Sequence, residues 1–150
     1  MRINKARLSI GISLLGIVML ILPFDSIVVP AVSVRIVDEA GNPMRNVFVK
    51  EEWNDVTVED GVHVDLVKTD EKGVATFPTR TVRSFLLKRI TNTVWRISTQ
   101  GVHASIGSGG SITAYANGDP HMWGWVSYER NGGSWPAQIE LKRWEAPAYP

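Results

Sequence analysis

From Val32 onward the chain alternates apolar and polar residues in short stretches that are separated by glycine-rich turns. Val32, Val34 and Ile36 alternate with polar or charged neighbours, and this period of two is typical of a half-buried strand. Further short strands are predicted at 46–53, 63–67, 73–77, 102–106, 111–116, 122–129 and 137–143. Many short strands without long helices predict an all-β fold, a sandwich of about seven to nine strands.

The segment 81–98 is the ambiguous part of this pattern. It is rich in Thr, Val, Ile, Phe and Trp, which favours a strand, although a helix around 84–90 is an alternative. Glycine-rich breaks at 107–110, 117–120 and 131–133 predict turns or linkers, and Asn131-Gly132 predicts a hairpin.

An apolar run of 17 residues without a charge, Leu8 to Phe24, precedes the strands. As a helix it would be about 25 Å long, slightly less than a hydrocarbon core of about 30 Å. Arg2, Lys5 and Arg7 lie before it, which predicts an inner N-terminus and an extracytoplasmic remainder. We expect a transmembrane signal anchor, and the absence of a polar face argues against a buried helix of a soluble domain.

The alternative is a signal peptide that is cleaved after Ala31, which would leave a periplasmic or secreted protein. The predicted organisation is an anchor or signal at 1–31, a sandwich at 32–144 and an extended tail at 145–150. With an uncleaved anchor, residues 25–31 would be a tether of at most about 23 Å.

Charge and cysteine content exclude several classes of function. The formal net charge is +1, and the part after residue 31 is nearly neutral, so we expect no nucleic-acid partner. The chain has no cysteine, which excludes disulfides, thiolate nucleophiles, iron–sulfur clusters and cysteine zinc sites. It also excludes a lipoprotein anchor, so the domain depends on packing, to which six tryptophans can contribute.

Two turns of the same kind follow Val-rich strands. They are Asp38-Glu39-Ala40-Gly41-Asn42-Pro43 and Thr69-Asp70-Glu71-Lys72-Gly73, and Val47-Phe48-Val49 lies between them. Because of the order and spacing of these elements, the segment of approximately residues 32–80 resembles the carboxypeptidase regulatory-like, or prealbumin-like (transthyretin-like), β-sandwich domain. The resemblance implies an accessory module of exported or surface proteins that stiffens, spaces or binds. The iron ligands of intradiol dioxygenases and the Tyr-Arg-Gly-Ser motif of transthyretin-related hydrolases have no counterpart, so no catalytic residue is carried over.

Two metal sites can be considered. Zinc could be held by His63, His103 and His121 with Asp65 or Asp119, and calcium by Asp38, Asp70 and the acidic residues Glu51, Glu52, Asp55, Glu59 and Asp60. The histidines do not show the spacing of a metal-binding motif, so ordinary surface histidines are favoured over a zinc site. For the acidic residues, turn-capping aspartates and a solvated loop are favoured over a calcium site. We therefore expect no metal and no cofactor.

Trp123-Gly124-Trp125 places two indoles on one face of a strand. They could bind a sugar, a partner or a membrane interface, but we favour core packing, with Gly124 marking the close approach of another strand. The predicted function is a non-catalytic, membrane-anchored binding or assembly module of the cell envelope, with a protein or glycan partner. The alternatives are a glycan-binding module that uses Trp123 and Trp125, and a small hydrolase or metalloenzyme around His63 and His103.

Overall fold

The computed structural model describes residues 5–116, 122–128 and 133–143, and within them the chain is mostly β-sheet with two α-helices. The helices are α1 (Lys5–Ile21) and α2 (Leu86–Gln100), and a short 3₁₀ helix covers Gly101–His103. The strands are β1 (Pro23–Val29), β2 (Val32–Val37), β3 (Phe48–Asp55), β4 (His63–Lys68), β5 (Val74–Phe77), β6 (Arg80–Phe85), β7 (Ser108–Tyr115), β8 (Met122–Ser127), β9 (Gln138–Glu140) and β10 (Lys142–Arg143). The prediction that the chain folds mainly into β-sheet is confirmed. The predicted tail at 145–150 and the hairpin at Asn131-Gly132 lie outside the described residues.

The strands form three sheets. The largest has the order β10-β8-β7-β3-β4, a second has the order β5-β2-β9, and β1 pairs with β6 in a two-stranded ribbon. The β2–β9 pair is parallel, and the other pairs between described strands are antiparallel. This arrangement is compatible with a β-sandwich.

The core is built from the apolar positions of the alternating strands. Val34 and Ile36 of β2 pack with Val49 of β3, Ile112 of β7 and Phe77 of β5, and all five are fully buried. These residues come from the five-stranded and the three-stranded sheets, so their apolar faces share one core.

The two Asp-x-x-Gly turns have the predicted capping role. Asp38 Oδ1 accepts hydrogen bonds from the backbone N–H groups of Ala40 and Asn42, and Asp70 Oδ1 accepts them from Lys72 and Val74. The hydrogen bonds of Asn42, first from its side chain and then from its backbone, lower the pKa of Asp38. Backbone donors therefore engage the carboxylates that the calcium alternative would have used.

The N-terminal apolar run is not one segment. Helix α1 ends at Ile21, and Pro23 and Phe24 begin β1, because a proline ring cannot continue a helix without losing a backbone hydrogen bond. The predicted tether at 25–31 is also wrong, since most of it pairs with β6 in the ribbon. Within the described residues, neither helix combines the length and the apolar character needed to cross a bilayer.

The strand predicted at 81–98 is wrong from Leu86 onward, where the chain forms α2, and the helix alternative around 84–90 covers only the start of this helix. The strand predicted at 102–106 is also wrong, because the 3₁₀ helix begins this stretch and no strand follows until Ser108. The glycines predicted as a linker at 107–110 lie largely inside β7. A Cβ on Gly110 would lie 2.9 Å from Val29 Cγ1, so glycine allows the ribbon to approach this strand closely.

Candidate functional site: an aromatic sheet face beside buried ion pairs

Four aromatic side chains lie together on the solvent-facing side of the five-stranded sheet. Phe48 pairs with Tyr115, Tyr115 pairs with Trp123, and Trp125 follows on the same face of β8. All four are exposed, and Trp123 and Trp125 retain 41% and 42% of their accessible surface. We call these four residues the aromatic face.

The favoured prediction that the two indoles belong to the core is therefore wrong, but the prediction for Gly124 is confirmed. Gly124 lies on the inner face of β8, where a Cβ would be 2.7 Å from Glu140 O and 2.7 Å from Ile139 Cγ2. Because successive strand residues point to opposite faces, the buried glycine fixes both tryptophans on the outside.

We expect Gly124→Ala to lower the free energy of unfolding by about 1–3 kcal/mol, the usual cost of overpacking a close contact. The matched control is Gly61→Ala, because no atom lies within 4 Å of a Cβ at Gly61. Urea denaturation of both variants tests this expectation. Equal midpoints for the two variants would show that β8 and β9 can separate at no cost.

Lysines surround the aromatic face. Lys68 Nζ lies 4.6 Å from the centroid of the Phe48 ring, and Lys142 pairs in register with Trp123. Lys50 lies in the same row as Trp125 and forms an ion pair with Glu52 at 3.1 Å. The side-chain hydrogen bond to Glu52 raises the pKa of Lys50. The surface therefore combines flat apolar rings with three lysines, of which Lys50 pairs with Glu52 and Lys142 pairs with Glu140 at 4.0 Å.

The opposite face of β3 carries a buried carboxylate. Glu51 is fully buried, and its Oε2 accepts hydrogen bonds from Arg80 Nε at 2.8 Å and Arg80 Nη2 at 2.7 Å. Arg80 also forms an ion pair with Asp65. Burial raises the pKa of Glu51, although Arg80 opposes this effect. The other oxygen, Glu51 Oε1, has no hydrogen-bond partner in the described part of the chain.

Asp55 is the second buried carboxylate of β3. Its Oδ2 lies 2.5 Å from Arg89 Nη1 of α2, and its Oδ1 accepts hydrogen bonds from the backbone N–H and hydroxyl of Thr57. Burial raises the pKa of Asp55, but the hydrogen bonds from Thr57 and Arg89 outweigh burial and lower it. The predicted solvated acidic loop is thus wrong for Glu51 and Asp55, which are interior members of ion pairs.

The residues of the metal alternative have other partners. His63 Nε2 lies 2.7 Å from Glu59 Oε1, and the His63 ring stacks on Trp53 at a centroid distance of 4.1 Å. Asp65 is paired with Arg80, and His103 lies in the 3₁₀ helix. Among residues 5–116, 122–128 and 133–143, no three His, Asp or Glu side chains form a group that could hold a metal. His121 and Asp119 lie outside the described residues.

Comparison of the chain with protein-family models, with curated proteins and with solved structures gives no significant match. The resemblance of residues 32–80 to prealbumin-like domains therefore stays a prediction.

Proposed function

We propose that the protein is a non-catalytic, extracytoplasmic module that α1 holds at a membrane and that binds an envelope partner through the aromatic face. The observation that carries this proposal is the exposure of Trp123 and Trp125 beside two further exposed aromatic residues. A contiguous aromatic patch is unusual on the surface of a monomer and typically marks an interaction site. Tryptophan and tyrosine are also enriched among the residues that dominate binding energy.

The anchor is supported by the surface of α1. From Gly11 to Ile21 the side chains are exposed except Leu20, which is half-buried, and most of them are apolar. Such a helix has no polar side to present to water, whereas lipid could contact its apolar side chains on all sides. Lys5 and Arg7, at the start of α1, supply the positive charge that is expected on the cytoplasmic side of a membrane anchor.

The prealbumin-like assignment is also part of the proposal. It is supported by the two equivalent Asp turns and by Gly73, whose positive φ of 74° favours glycine. A Cβ on Gly73 would lie 3.0 Å from Ile36 O, so this turn packs closely against β2. A domain of this type would act as a rigid support for the aromatic face.

A glycan partner is the second candidate, and the spacing of the indoles favours it. Trp123 and Trp125 are two residues apart on one strand, so their Cα atoms are separated by about 6.7 Å. Flat rings at this spacing on an open sheet can stack on successive sugars.

We expect the double variant Trp123→Ala/Trp125→Ala to fold and to lose at least about tenfold in affinity for the partner, because both indoles are half exposed and lie outside the core. The matched control is Val64→Ala/Leu66→Ala, which removes exposed apolar side chains from the same sheet face on β4. Two readouts are compared: co-sedimentation with isolated envelope polysaccharide, and photocrosslinking to proteins of the native membrane.

Loss of co-sedimentation in the tryptophan variant alone would support the glycan candidate. Loss of crosslinks alone would support an assembly module with a protein partner. If a folded tryptophan variant matches the Val64/Leu66 control in both assays, the aromatic face is not the binding surface and the proposal fails.

A further inference from the structure

Helix α2 presents its apolar side to the outside of the molecule. Five of its exposed apolar residues follow a spacing of three or four and retain between 40% and 58% of their surface, whereas Trp95 retains 69% and lies outside this spacing. The five are Leu86, Leu87, Ile90, Val94 and Ile97. None of the residues of α2 is buried. We call these five residues the apolar side of α2.

The polar side of α2 is the side that contacts the domain. Arg89 pairs with Asp55, Arg96 Nη2 lies 2.5 Å from Asp60 Oδ1, and Asn92 Nδ2 donates to Thr57 O at 3.0 Å. An amphipathic helix of a soluble protein normally buries its apolar side and exposes its polar side. Here the orientation is reversed. Although α1 contacts α2, the apolar side stays exposed, so the described residues do not cover it.

The topology places this helix next to the end of α1. In the β1–β6 ribbon, Pro23 pairs with Phe85, so the residue that follows α1 lies opposite the residue that precedes α2. A single residue, Leu22, separates α1 from β1, and none separates β6 from α2. If α1 enters a bilayer, α2 must therefore begin at the bilayer surface.

The charges of the two helices fit such a surface. Neither helix contains an acidic residue, and Lys88 is exposed on α2. Trp95 is also exposed, but by helical spacing it does not belong to the apolar side. Cationic side chains near a membrane are attracted to anionic phospholipids.

We propose that α2 is an interfacial membrane helix, with its apolar side buried in the outer leaflet and its polar side carrying the β-domain. This inference rests on the proposed anchoring by α1. Helices of this kind insert their apolar side about 5–10 Å into the boundary between headgroups and acyl chains. The domain is then held at two neighbouring places, by α1 in the bilayer and by α2 on it.

The absence of cysteine allows a direct test by site-directed spin labelling of the full chain. Single variants Ile90→Cys and Val94→Cys label the apolar side of α2, Leu15→Cys labels α1, and Val64→Cys labels the exposed face of β4. Each protein is reconstituted into vesicles of phosphatidylcholine with phosphatidylglycerol. The accessibility of each label to oxygen and to a water-soluble nickel complex is then measured.

We expect labels at 15, 90 and 94 to be accessible to oxygen and protected from nickel, and the label at 64 to show the opposite. Lipid exposure at 15 with full nickel access at 90 and 94 would overturn the interfacial helix and leave the anchor intact. Nickel access at 15 would contradict the anchoring itself. Spin–spin broadening at 90 and 94 that disappears on dilution with unlabelled protein would show that a second copy, not lipid, covers this side.

Discussion

Replacing Arg89 with alanine is expected to lower the free energy of unfolding by about 3–5 kcal/mol, the usual cost of removing one partner of a buried ion pair. Asp55 would keep its hydrogen bonds from Thr57 but lose the only cation that its described contacts provide. The side chain of Asp55 is 3% exposed, so its charge would be left in a poorly solvated site. The same variant should weaken the attachment of α2 to the β-domain, because Arg89 also donates to Ser26 of β1, while the contacts of Asn92 with Thr57 and of Arg96 with Asp60 remain.

Arg96→Ala is the matched control on the same helix. Its partner Asp60 has a side chain that is 99% exposed, so we expect only a small fraction of the loss caused by Arg89→Ala. The double variant Arg89→Ala/Asp55→Asn should recover part of the stability, since asparagine removes the unpaired charge and can still accept from Thr57. Urea denaturation followed by circular dichroism measures all three. Equal losses for Arg89→Ala and Arg96→Ala would show that burial of Asp55 does not determine the effect.

The second large effect is expected for Arg80→Met, which leaves Glu51 buried without its cation. The expected loss at neutral pH is again about 3–5 kcal/mol. The variant Glu51→Leu/Arg80→Met should regain most of it, because replacing both members of a buried pair by apolar groups is often nearly neutral. Lys50→Met is the control on the same strand, since Lys50 and Glu52 pair on the solvent side. A double variant no more stable than Arg80→Met would refute this account of Glu51.

The cost of Arg80→Met should depend on pH in a defined direction. Burial raises the pKa of Glu51 in the folded protein, and Arg80 counteracts this, so its removal should raise the pKa further. The folded state then binds a proton at Glu51 more tightly than the unfolded state does. Stability therefore falls as pH rises from the ordinary pKa of a glutamate towards the raised pKa of Glu51 in the folded protein. The loss in Arg80→Met should therefore be smaller at about pH 5 than at neutral pH.

The contribution of Asp55 to stability depends on pH in the opposite direction. Its pKa is lowered in the folded protein, so the ionised carboxylate stabilises the fold at pH values above its ordinary pKa. This contribution is lost as the pH falls through the lowered pKa.

The alternation of residues after Val32 was sufficient to predict most strands, because it reports directly which side chains face the core. For α2 the strand propensity of Ile90, Thr91, Thr93 and Val94 favours the wrong prediction, although its apolar residues recur at helical spacing, and the helix alternative around 84–90 covers only its start. The periodicity was the better signal here. Because α2 packs by its polar side and has no buried residue, the usual rule that apolar side chains face the core does not help to predict it.

The buried ion pairs could not be predicted from local pattern. Glu51 and Arg80 are 29 residues apart in sequence, and Asp55 and Arg89 are 34 apart. An acidic run normally indicates solvent exposure, and only the pairing of β1 with β6 and the position of α2 bring the arginines inside. The two indoles were detected as a candidate site, but their exposure depends on which face of β8 meets β9.

The pairing of β1 has a consequence for how this protein would meet its partner. Most of the residues predicted as a tether, 25–31, belong to β1, and Leu22 alone connects the helix to the sheet. If α1 is a membrane anchor as proposed, a domain mounted in this way could not search the surrounding volume, and encounter would depend on lateral diffusion in the membrane. Its ligands would then be restricted to molecules that lie at a fixed height above the lipid surface.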